Sequence, residues 1–85
     1  PAVRPPMWSA RRASSLWALG EIKQPNSLPI VLAHIRDKEE VVRLNSVRAA
    51  AKIAPQSLKP FIPYLRKDSS AEIRKIVTDL SYKVL

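Results

Sequence analysis

Few side chains in this 85-residue chain could do chemistry, and their types and spacing argue against catalysis. His34 is the one histidine and cysteine is absent, which leaves no set with metal-ligand spacing and excludes a disulfide framework. Gly20 is the single glycine, so no glycine-rich loop can cradle a phosphate. Glu21 and Asp79 are carboxylates that could be imagined as a lone catalytic group, but no partner groups converge on either. The chain therefore offers no catalytic, cofactor-binding or metal-ligating residue, and it is expected not to be an enzyme within this segment.

Positive charge is what it does offer. Fifteen Lys and Arg against seven Asp and Glu give a formal charge of +8, which invites a polyanion reading. Binding to nucleic acid needs those cations gathered on one face, where they displace counterions from successive phosphates. Here they are dispersed, with Glu21, Glu39, Glu40, Glu72 and Asp79 interleaved, so most are expected to be solvated or structural. The best candidate for a patch is Arg36, Lys59, Arg66 and Lys67. His34 and Tyr64 stand 30 residues apart, each one position before an apolar residue, Ile35 or Leu65, and are expected to be neighbours. Together His34, Tyr64, Arg36, Arg66, Lys59 and Lys67 form the candidate partner-binding set, rich in the aromatic and Arg side chains that binding hot spots favour. Of the two tryptophans, Trp17 is expected in the core and Trp8 nearer the surface.

The elements that must position these groups are helical. Residues 1–6, Pro-Ala-Val-Arg-Pro-Pro, cannot hold a helix and read as an extended lead-in. A first helix is expected from about Met7 to Ile22, with Gly20 near its end allowing a close approach by the next helix. A short second helix, capped by Asn26 or Ser27 with Pro29 in its first turn, should end near Arg36. The run Asp37-Lys38-Glu39-Glu40 opens a third helix, apolar on two adjoining faces and ended by Pro55. The fourth, from about Leu58 to Arg66, should be bent by Pro63, and Ser69-Ser70-Ala71-Glu72 begins a fifth that reaches toward Val84.

The order long, short, long, short, long is an internal repeat. Leu28, Val31, Leu32 and Ile35 recur as Leu58, Phe61, Ile62 and Leu65 at an offset of 30, while Arg12, Arg43 and Arg74 recur at an offset of 31. A period of about 30 residues built from two helices marks a solenoid of stacked hairpins.

In its motifs the chain resembles the HEAT repeats, particularly the short bacterial-style form. Val42-Arg43 and Ile73-Arg74 match its Val-Arg element, Ala18-Leu19-Gly20-Glu21-Ile22 its Ala-Leu-Gly element, and Asp37 and Asp68 its closing Asp. Ala49-Ala50-Ala51, which lacks the Gly, Arg11 in place of Val, and the extra Pro63 are departures. The resemblance spans residues 8 to 84 and implies an all-α fold, a right-handed α-solenoid of about two and a half hairpins and five helices. It divides residues 7–85 into repeats at 7–37, 38–68 and a partial 69–85. It also implies that Arg12, Arg43, Arg74, Asp37 and Asp68 bond between stacked repeats, and that the short helices line the side where partners dock.

The expected function follows as a protein–protein interaction or scaffolding module. The alternatives are polyanion binding through the basic surface, or an accessory domain of a larger enzyme. No cofactor is expected, and no apolar run reaches the ~20 residues that span a bilayer. A cytoplasmic location is the expectation, because no targeting signal is visible in this segment; the lack of Cys is compatible with a reducing compartment but does not fix one. The chain is expected to be a fragment of a longer array. Its last helix carries an apolar stripe at Ile73, Ile76, Leu80 and Val84, and the expectation is that copies associate through it or that the helix is loosely packed there.

Overall fold

The structure is a computed structural model that describes residues 7–83; the lead-in at 1–6 and Val84 lie outside the described residues. Five α-helices follow one another: α1 at Met7–Ile22, α2 at Leu28–Leu32, α3 at Glu40–Ile53, α4 at Ile62–Leu65 and α5 at Ala71–Lys83. Short 3₁₀ segments precede the two short helices, at Pro25–Ser27 and Pro55–Phe61. No strand occurs among the described residues. The result is an all-α helical solenoid in which α1, α3 and α5 form one layer and the short segments the other.

The long helices take the limits that their apolar periodicity predicts. The short ones do not, and proline is the reason. Each begins as a 3₁₀ turn on Pro25 or Pro55, and neither Asn26 nor Ser27 makes a side-chain cap. Pro60 keeps the second segment in 3₁₀ form to Phe61, and α4 then starts afresh with Pro63 in its first turn. Pro63 thus costs no helical bond, because N–H groups of a first turn have no partner within their own helix. The bend expected inside one helix is a junction between two.

The starts of α3 and α5 also lie beyond the sequence expectation, α3 by two residues and α5 by one. Asp37 does not cap α3 directly: its Oδ1 accepts the Glu39 N–H at 2.9 Å, fixing the turn that precedes the helix. At α5 the cap is Ser70, not Ser69, since Ser70 Oγ accepts the Ile73 N–H at 3.2 Å. At the other end of α1, Lys23 closes the helix with a left-handed φ of 57° while its N–H bonds to the Leu19 carbonyl.

The core runs as a ridge between the layers. Leu16 of α1, Val31 and Ile35 after it, Val42 and Val47 of α3, Leu58, Leu65 and Ile73 with Val77 are all fully buried. α3 is the central member and buries two faces, Val42, Ala49 and Ala50 among them. Gly20 sets its distance from α1: a Cβ there would stand 2.8 Å from the Ala49 Cα, so only hydrogen fits. Ser46, itself buried, donates to the Val31 carbonyl at 2.6 Å and ties α3 to α2.

Two expectations about apolar groups are corrected. Trp17 is 54% exposed and packs beside the layer of long helices instead of within the core. Its repeat-equivalent, 31 residues on, is Arg48, an exposed position, so the helix phase turns residue 17 outward. The stripe on α5 is open only in part: Ile73 and Val77 are buried against the preceding hairpin, while Ile76 and Leu80 are half-buried at the edge of the same core. Ile73 is therefore unavailable for association between copies.

Candidate functional site

The geometry begins with arginines on the long helices. Arg12 Nη1 donates to Asp37 Oδ2 at 2.9 Å, and Arg43 grips Asp68 through Nε at 3.0 Å and Nη2 at 3.1 Å, each pair 25 residues apart. Arg43 also donates from Nη1 to the carbonyls of Asp37 and Lys38 in the preceding turn, and from Nη2 to Ser69 Oγ. Those five bonds use every N–H that a guanidinium has. Arg74 repeats one of them, donating to the Asp68 carbonyl at 2.6 Å.

Electrostatics follows from this network. Burial by itself would raise the pKa of Asp37 and of Asp68. The Glu39 N–H and Arg12 outweigh it at Asp37, Arg43 and the Ser70 N–H outweigh it at Asp68, and both carboxyls end below their ordinary value. The Asp68 hydrogen bond raises the pKa of Arg43 in turn. These acids are fully ionised and fully engaged at neutral pH.

On the layer of long helices two further cations are matched by acids. Arg48 Nη2 donates to Glu72 at 2.7 Å, and Lys52 bonds Glu21, its repeat-equivalent on the neighbouring helix. The short-helix side is different. Neither residues 22–36 nor residues 54–67 contain an acidic residue, yet they carry Lys23, Arg36, Lys59, Arg66 and Lys67.

The candidate binding residues do not all meet. Arg36 lies over the Tyr64 ring at 5.2 Å from its centroid, and both line an open groove of about 710 Å³ together with Lys67. Lys38, Pro63 and Ser69 complete its walls, with the engaged Arg43, Asp37 and Asp68 as its floor. His34 does not line the groove; its Nδ1 donates to the Ile30 carbonyl at 2.8 Å. Arg66 reaches away to Ser81 Oγ at 3.1 Å, and Lys59 stands apart in the 3₁₀ segment. Tyr64 is thus paired with Arg36, where the repeat offset alone points to His34.

Lys38 and Ser69 are the residues that sequence reasoning missed. A signal existed: each directly follows a closing Asp, and the two are 31 residues apart, so they come from adjacent turns at the same level of the stack. Trp8 stands near Lys38, with the Arg12 guanidinium 4.6 Å and the Lys38 Nζ 6.0 Å from its ring centroid. Among the described residues no group of His, Asp or Glu is placed to hold a metal ion, and no helix is long and apolar enough to cross a membrane.

No curated protein and no solved structure matches the chain. A family model does: the one described as HEAT repeats matches residues 5–80. With the two-layer stack of hairpins and the Arg–Asp bonds between long helices and turns already in view, that match covers almost the whole chain, and the protein belongs to the HEAT repeat family.

Proposed function

We propose that this chain is a protein-binding module whose short-helix side receives an acidic segment of a partner. HEAT repeats are in general protein-interaction or scaffold modules, typically without catalytic activity. The observation that carries the finer reading is the segregation of charge. Of the seven acids, Glu21, Asp37, Asp68 and Glu72 are bonded to Lys52, Arg12, Arg43 and Arg48, and none of the seven lies on the short segments. The excess positive charge is therefore concentrated where Tyr64 and Arg36 are exposed side by side. An aromatic ring supporting a guanidinium supplies contact area and direction at once.

Nucleic acid is the competing partner for a basic surface, and salt separates the two. The test is selection of random peptides on the 85-residue chain, beside titration of a mixed-sequence DNA and RNA pool at rising salt. Enrichment of acidic peptides, lost in Arg36→Glu, is the expected result. Oligonucleotide binding that is tighter than any peptide's and falls steeply with salt would replace the protein-binding reading with the polyanion one.

A further inference from the structure

We infer that the groove between the two hairpin turns is a site for a phosphomonoester, the phosphorylated Ser or Thr side chain of a protein partner. This rests on the protein-binding reading and gives it a chemical class. Three cations line the groove, Arg36, Lys38 and Lys67, and no acid among the described residues pairs with any of them. The two carboxylates in its floor do not compensate them, because Asp37 and Asp68 are committed to Arg12 and Arg43. Arg43 cannot bind a ligand either, with all its N–H groups spent.

Arg36 is the residue prepared for an anion. Its guanidinium lies over Tyr64, an arrangement that holds the plane in place and leaves the N–H edges free for a two-point contact with oxygen. Lys67, from the turn after α4, lines the same groove as a second point charge, and Lys38 flanks them while its head rests near Trp8. One carboxylate would leave most of this charge unmet. A phosphomonoester carries roughly −1.5 to −2 at neutral pH and three acceptor oxygens, enough for a forked Arg and a Lys together. The backbone of a nucleic acid fits less well, since its single charges are strung along a strand and need a continuing track of cations. Here the track stops, with Arg66 turned to Ser81 and Lys59 away from the groove.

The test uses nuclear magnetic resonance of the labelled 85-residue chain, titrated with N-acetyl-O-phosphoserine amide and, separately, with N-acetylaspartate amide. Shifts confined to Tyr64, Lys67, Ser69 and their neighbours are expected, with the phosphoserine at least about tenfold tighter at pH 7.5. Its advantage should shrink as pH falls through the second phosphate pKa, near 6. Arg36→Lys, which keeps the charge and loses the planar fork, should remove most of that advantage, and Lys59→Ala should leave it within about twofold. Equal affinity for the two anions, or shifts spread over every lysine, would overturn the phosphate site while leaving peptide selection as the separate judge of protein binding. Tighter binding of the DNA and RNA pool at the same residues would overturn both.

Discussion

The same Arg–Asp bond is made twice in this molecule, 25 residues across each time, and the two copies are not equivalent. In the first hairpin the Arg12 and Asp37 side chains are 41% and 10% exposed; in the second, Arg43 and Asp68 are 12% and 5% exposed. Arg43 has a turn on either side and bonds to both, while Arg12 makes one contact with Asp37 and lays its other face against Trp8. Position in the stack, more than residue identity, decides what an ion pair is worth. The pair bonded to two turns is desolvated and held by its neighbours; the pair bonded to one shares its charge with water.

Removing the acid from each copy tests that difference. Asp68→Ala leaves Arg43 nearly buried without its carboxylate and should cost about 3 kcal/mol in urea unfolding. Asp37→Ala takes away a half-exposed pair and one turn bond, and should cost about 1 kcal/mol. Equal losses would mean that stacking position does not matter.

Acid should expose the same hierarchy. Both aspartates titrate lower in the folded chain than in the unfolded one, so the unfolded state takes up protons first as pH falls. Their contribution is whole above the unfolded value near 3.9 and is lost as pH drops through the folded values below it. The urea midpoint should hold from pH 7 to about 5 and fall below about 4, less so in Asp68→Ala.

The smallest effect is expected on the layer of long helices. Arg48 and Glu72 are 45% and 63% exposed, and Glu72→Ala should stay within about 0.5 kcal/mol of the parent in the same unfolding assay. A loss as large as that of Asp37→Ala would show that geometry across the helices outweighs solvent screening.

What could be read from the sequence follows from the kind of signal each feature leaves. α1, α3 and α5 have long apolar periods, so their existence and extent are legible; the close approach at Gly20 is legible too, and it meets Ala49. The short segments are not, because two to four residues between prolines carry too little period to separate 3₁₀ from α. The size of Trp17 points to the core, but its repeat-equivalent Arg48 marks the position as outward, and outward is where it lies. For the candidate groove, charge and repeat offset point to Arg36, Tyr64 and Lys67; the offset of 31 also puts Lys38 and Ser69 on equivalent turns, but only the turn geometry shows that they wall the same groove with Pro63.

The double reach of Arg43 has a consequence for how such a chain can grow. One side chain reads the backbone of the turn before it and the carboxylate of the turn after it, so a hairpin copied with its Arg and its Asp brings both halves of the next joint along. Gene duplication can then lengthen the array in whole units without inventing a contact, while insertion of a single residue between Arg43 and Asp68 would break the joint on one side. The arginine is in effect a spelling rule for concatenation, and a designer who spliced a second copy of residues 38–68 after the first would expect it to dock unaided.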